Sequence, residues 1–182
     1  DLSSADERQQ YKMIHEYPLG GNPPMMTHIF ENESGNRIIA IKGAPEALMV
    51  LSNLTETQKQ QIEVAIKILA TDGYRLLAIG ESLFTGNSFP LTQQEFNIQF
   101  KGMVAFYDPP KENIQLVLEN FYKAGINVKI VTGDYPATTT AIAKQVGFKS
   151  YDKTLTGDEL MKMQDTELQE RVIDTNIFTR MY

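Results

Sequence analysis

Lys42-Gly43-Ala44-Pro45-Glu46 closes an apolar run, Arg37 to Ile41, and opens a helix at Pro45. Proline suits the first turn of a helix, because its missing N–H is one that the helix leaves unbonded anyway. Gly43 has no Cβ, so a flat base can come close to the backbone there. A lone cation at a strand end can reach a polyphosphate. These five residues are the local build of a nucleotide pocket floor. An ordinary strand-to-helix turn with a solvated lysine would use the same residues, and the stretch alone does not separate the two.

Working outward, residues 8–17 and 25–31 read as strands on either side of Pro18-Leu19-Gly20-Gly21-Asn22-Pro23-Pro24, a hairpin-like loop that cannot continue a helix. After the short helix from Pro45 to about Leu51, a long amphipathic helix opens near Thr55. It carries Ile62, Ala65, Ile66 and Leu69 at helical spacing and stops at Asp72-Gly73. Tyr74 to Gly80 reads as a buried strand with Arg75 near its start, residues 82–96 as a polar surface insertion, and Phe100 to Phe106 as a strand. Asp108-Pro109-Pro110-Lys111 then removes two backbone donors and breaks any continuous element. We place a domain boundary there, with domains at 1–109 and 110–182.

Beyond the boundary the pattern alternates helix and strand. A helix from Asn113 to Lys123 is capped by Gly125, and a strand runs from Asn127 to Val131. Thr132-Gly133-Asp134 leads into a helix from Pro136 to about Val146, and one or two helices between Asp158 and Ile173 precede a strand at Asn176 to Thr179. The expected fold is mixed α/β: an antiparallel sheet with helices, followed by part of a Rossmann-like, doubly wound α/β domain.

Bulk properties exclude several classes of function. The net charge is -6 and no Lys/Arg run exceeds two residues, so nothing here attracts nucleic acid or an anionic lipid surface. There are no cysteines, hence no disulfide, thiolate zinc site or thiol nucleophile. His15 and His28 have no partner at metal-ligand spacing. No apolar run approaches the roughly 18 residues of a membrane span, so no direct membrane contact is expected. The chain starts at Asp1 and stops just after a strand, and it reads as an excised piece of a longer protein.

In an open α/β sheet, ligands gather beyond the carboxyl ends of the strands, where helix N-termini offer unpaired N–H groups. Thr132-Gly133-Asp134 falls at such a place. Thr132 can donate its hydroxyl to a phosphoryl oxygen, and Gly133 lets the backbone approach. Asp134 can face a ribose, a metal-bound water or a hinge partner, or cap the helix at Pro136.

Taken in order, Lys42 to Glu46, Asp108 to Lys111 and Thr132 to Asp134 resemble the KGAPE-like, DPPR-like and TGD-like segments of P-type cation-transporting ATPases. Thr140-Ala141-Ile142-Ala143 and Gly147 are similar to the family's helix after the last of these. The resemblance covers essentially the whole chain. It implies a cytoplasmic nucleotide-binding domain, followed by part of a haloacid-dehalogenase-like phosphorylation domain, on the cytoplasmic face of a membrane protein.

By that resemblance Lys42, with Gly43 and Glu46, would lie at the adenine end of an ATP pocket, and Arg75 would reach the ATP phosphates. Thr132, Gly133 and Asp134 would border the phosphoryl site, and Asp108, Pro109, Pro110 and Lys111 would be a hinge. ATP would be the ligand, and Mg2+ would act in the parent protein through ligands outside this chain. The partners would be the remaining phosphorylation, actuator and transmembrane domains. The acceptor aspartate is also outside, so the piece alone would be inactive while the parent hydrolyses ATP through an aspartyl phosphate.

Two departures stand out. Leu19 takes the place of the family's stacking aromatic, and Pro24 that of a second lysine. Each change removes on the order of 1 kcal/mol of nucleotide binding. Asp152-Lys153-Thr154-Leu155-Thr156-Gly157 looks like a shortened acceptor motif, but the residues before it do not make a buried strand, and a surface loop leading into a helix near Thr156 is expected. Calcium is the first cation expected, and magnesium stays open because Lys111 replaces the family's usual arginine. Two other readings are a soluble haloacid-dehalogenase-type phosphatase and a free-standing nucleotide-binding module.

Overall fold

Met25, Thr27 and Ile29 are fully buried and alternate with partly exposed Met26, His28 and Phe30, which is the period of a strand with one face on a core. In the computed structural model, which describes residues 7–86 and 88–181, this strand belongs to a five-stranded sheet. A single 3-10 turn (Glu7–Gln10) leads into β1 (Tyr11–Gly20), β2 (Met25–Asn32) and β3 (Arg37–Gly43). Then come α1 (Pro45–Leu51), α2 (Glu56–Thr71), β4 (Arg75–Ser82), a 3-10 turn (Gln93–Glu95) and β5 (Ile98–Phe106). The strand order is β1-β2-β3-β4-β5, and the first three pairings are antiparallel.

Register shows why this sheet has one inside. Met25 pairs with Gly43 and Gly43 with Ala78, Thr27 with Ile41 and Ile41 with Gly80, Ile29 with Ile39 and Ile39 with Ser82. Each of the three rows is buried. Ala47 and Leu48 of α1, with Phe96 and Ile98, complete this core. A one-residue slip in any of these strands would turn its apolar set to the other face, so the pattern fixes the pairing.

The described residues after β5 contain α3 (Ile114–Lys123), β6 (Ile130–Val131), α4 (Pro136–Gln145), β7 (Thr154–Thr156), α5 (Gly157–Leu160), α6 (Asp165–Asp174) and β8 (Ile177–Thr179). The three strands form a parallel sheet in the order β6-β8-β7. Central β8 is buried at every residue, as a strand covered on both faces should be. Leu118, Ala143, Val146, Phe148 and Ile177 form the core here. By contact the chain divides into two compact units. One holds the described residues up to Glu63 with Leu76–Val104, and the other holds Val64–Arg75 with the described residues from Ala105 onward.

The mixed α/β expectation holds, with an antiparallel sheet first and a parallel one after. Helix ends fall where glycine predicts them. Gly73 has φ +84°, and the N–H groups of Gly73 and Tyr74 bond back to Ala70 and Leu69, which closes α2 in a Schellman turn. The same closing pair follows α3 at Gly125 and α4 at Gly147.

Three local expectations change. β1 begins at Tyr11 rather than at residue 8 and runs on through Pro18, Leu19 and Gly20, so the turn is confined to residues 21–24. Thr154–Thr156 is a strand rather than a loop, because Leu155, buried and opposite Phe178, gives it a place beside β8. The helix start near Thr156 is as expected, with a reciprocal Thr156–Glu159 capping box. β6 has only two residues instead of the five from Asn127 to Val131, and pairs with β8 only at Ile130 and Val131.

Candidate functional site

Lys42 sits one residue from the end of β3, and its neighbours Ile41 and Gly43 face the core, so its side chain rises from the opposite face. Its cross-strand partners there are Met26 and Ile79. An exposed ammonium thus stands between two apolar side chains on an open sheet. Such a surface suits a flat heteroaromatic ring that also carries negative charge.

Gly43 points the other way. A Cβ built on it would lie 2.8 Å from Leu48 Cδ1, 3.2 Å from Met25 Cβ and 3.3 Å from the Pro24 carbonyl oxygen. The space that glycine leaves is filled by α1 and by the first residue of β2, so packing alone accounts for it. Ala44 is the residue before α1 and offers no side-chain cap, Pro45 occupies the first turn, and Glu46 lies exposed in that turn. Leu19, near the end of β1, is 67% exposed.

In the second unit Arg75 and Asp134 meet. The guanidinium donates from Nε at 3.0 Å and from Nη2 at 2.8 Å, both to Asp134 Oδ1. Asp134 does not cap α4, whose preceding residue is Tyr135 and which has no side-chain cap bond. The capping alternative for Asp134 is therefore replaced by an ion pair.

Thr132 is held by both neighbouring backbones. Its N–H donates to the Phe178 carbonyl at 2.9 Å, its own carbonyl accepts from Met181 N–H at 3.1 Å, and its hydroxyl accepts from Asp134 N–H at 3.1 Å. The Thr132-Gly133-Asp134 turn therefore stands at the carboxyl end of β6, beside the carboxyl end of parallel β8. Thr138 of α4 donates its hydroxyl to the Tyr74 carbonyl at 2.8 Å, which ties this turn region to the residue before Arg75.

Asp108, Pro109, Pro110 and Lys111 form no regular element between β5 and α3. Asp152 lies in an exposed turn just before the start of β7 and not at the carboxyl end of a strand. Among the described residues no helix is long and apolar enough to cross a membrane.

Sequence reasoning did not single out three residues. Arg180 follows β8 with φ +52°, donates from Nη1 to the Gly133 carbonyl at 3.0 Å and lies over the Tyr135 ring at 5.4 Å. An arginine directly after a buried strand was the available signal. Gln93 and Gln94 bind the loop between β1 and β2, and nothing in a run of polar residues distinguished them.

Residues 2–113 match the family model described as P-type ATPase, cytoplasmic domain N. The chain is 28% identical to the Calcium-transporting ATPase 1 of Saccharomyces cerevisiae, over 96% of this chain and 20% of that protein. It is also 28% identical to the Calcium-transporting ATPase of Bacillus subtilis, over 94% of this chain and 21% of the relative. Identity to the Magnesium-transporting ATPase, P-type 1 of Salmonella typhimurium is 30%, over 82% of this chain and 18% of that relative. The chain thus spans about a fifth of the length of these curated relatives. With its sheet, its lysine-bearing strand end and its ordered segments in agreement with that match, the chain belongs to the P-type ATPase family.

Proposed function

We propose that this chain is the ATP-binding cytoplasmic part of a cation pump, with a nucleotide-binding domain over residues 1–109 and part of the phosphorylation domain over 110–182. The parent protein hydrolyses ATP through an aspartyl phosphate and moves a cation across a membrane. This piece supplies binding and orientation. Lys42, with Gly43, Glu46 and Leu19 nearby in the chain's nucleotide-binding domain, holds the adenine end. Arg75 takes the ATP phosphates, Thr132, Gly133 and Asp134 border the phosphoryl site, and Asp108 to Lys111 serve as the hinge.

The observation that carries this reading is Lys42 itself. It is exposed on the sheet face away from the core, between Met26 and Ile79, three residues before the proline that starts α1. Mg2+ neutralises phosphate charge in the parent and is assigned to ligands elsewhere in that protein. Calcium is the cation to test first, because two of the relatives described above are named calcium-transporting. Selectivity rests with transmembrane groups in such proteins.

Titration of the 182-residue chain with ATP, followed by amide NMR, tests the binding role. Shifts are expected at Lys42, Gly43, Leu19 and Arg75. Silence of all four at millimolar ATP would refute it.

A further inference from the structure

The loop between β1 and β2 is held in shape by two adjacent glutamines from the far end of the insertion. Gln93 is 5% exposed, and its Nε2 donates to the carbonyls of Pro18 at 3.1 Å, Gly20 at 3.1 Å and Met25 at 2.7 Å. Its Oε1 accepts from the hydroxyl of fully buried Thr27 at 2.9 Å. Gln94 Nε2 donates to Gly20 at 3.2 Å and to Pro23 at 2.9 Å. Gly21, at φ +83°, is required by this clamp, since a Cβ there would fall on the Gln94 carboxamide. Tyr17 adds a bond from its hydroxyl to the Pro90 carbonyl at 2.6 Å.

These bonds bear on Lys42 through the ladder. The clamped loop ends at Met25, which pairs with Gly43, and the next residue, Met26, is the cross-strand neighbour of Lys42. The end of β1 held by the same bonds carries exposed Leu19. Peptide carbonyls beside the four-residue connection between β1 and β2 would otherwise bond water. A carboxamide has two N–H donors and an acceptor oxygen, and the Gln93 side chain uses them all on this loop and on β2. A carboxylate in its place would face three carbonyl oxygens with no proton to give.

We infer that Gln93 and Gln94 are positioning residues for nucleotide binding: they fix the end of β1 from Pro18, the turn after it and the start of β2 at Met25 as the rim of the adenine end beside Lys42. The inference rests on the proposed ATP site. It assigns a role to two residues that touch no phosphate and hold the base-binding rim in place.

Two variants test it, Gln94→Ala, whose side chain lies at the surface of the clamp, and Gln93→Met, which keeps the volume and removes the bonds. Adenosine, ATP and inorganic tripolyphosphate are titrated against each variant and the unchanged chain, with amide spectra recorded throughout. Loss of one or two hydrogen bonds that order the rim should weaken adenosine and ATP by about three- to tenfold. Tripolyphosphate affinity should not change. The amide signals from Leu19 to Met26 should move, while those of Ala78 and Ile98 in the core stay.

Loop signals that move with adenosine affinity unchanged would overturn the positioning role, as would equal weakening of tripolyphosphate, which would mean general damage. If the unchanged chain binds neither adenosine nor ATP, the ATP site itself fails and the rim with it. Unmoved loop signals in a chain that binds adenosine would overturn the clamp alone.

Discussion

Gly43→Ala separates packing from ligand approach at the segment on which the fold turns. The backbone of β3 is extended there, so alanine meets no dihedral penalty, and the whole cost is steric. The new methyl would press on Leu48 Cδ1 at 2.8 Å and on Met25 Cβ at 3.2 Å, both in fully buried side chains, and on the Pro24 carbonyl at 3.3 Å. Overpacking of this kind costs about 1–3 kcal/mol. Removing a glycine from the unfolded chain returns about 0.4–1 kcal/mol. Taken at mid-range, the net expectation is a loss of about 1.3 kcal/mol, or a fall of roughly 5–10 °C in the midpoint of the unit that holds the five-stranded sheet. The chain has no tryptophan, so urea and thermal unfolding are best followed by circular dichroism. Stability unchanged to within about 0.3 kcal/mol, with ATP binding abolished, would refute the packing account. It would show that glycine is there to admit the base.

The Arg75–Asp134 pair has side chains 53% and 28% exposed, so a double-mutant cycle to alanine should give a coupling of about 0.5–1 kcal/mol that shrinks as salt is raised. A coupling of zero at low salt would refute the pair. Glu159 is held below its ordinary pKa by hydrogen bonds from the Thr156 hydroxyl and then the Thr156 N–H. Because the folded value is depressed, the stabilisation is present above the unfolded value and disappears as pH falls through the folded one, so α5 should lose amide protection in acid. In Thr156→Ala the carboxyl carbon of Glu159 should titrate higher, toward the ordinary value, and an unmoved titration would sink the capping-box account.

Most of the architecture was legible because its signals are local. The apolar run of β3, proline at the start of α1 and α4, and glycine after α2, α3 and α4 each act within one turn or one strand, and the structure places each where the sequence put it. The misjudged elements depend on partners far along the chain. β7 carries a single apolar residue, Leu155, and becomes a strand with Phe178 opposite, while β6 pairs with β8 over only two residues. The same division runs through the candidate site. Lys42 was readable from five residues, but its flanks Met26 and Ile79 come from two other strands. The pairing of Arg75 with Asp134 joins residues 59 positions apart, and neither residue type names the other in advance.

The departures at Leu19 and Pro24 and the glutamine clamp have a common physical basis. An aromatic ring and an ammonium contribute affinity by touching a ligand, and such contacts are strong enough to order a loop as they form. A loop without them gains little on binding and cannot offset the entropy of ordering itself at that moment. It is useful only if its shape is already set. Six carboxamide hydrogen bonds from Gln93 and Gln94, five donated and one accepted, set that shape in advance. On this argument a phenylalanine at position 19 should make the clamp less necessary. Leu19→Phe should recover part of the adenosine affinity that Gln94→Ala loses, and an equal loss with and without it would show that the ring and the clamp act independently.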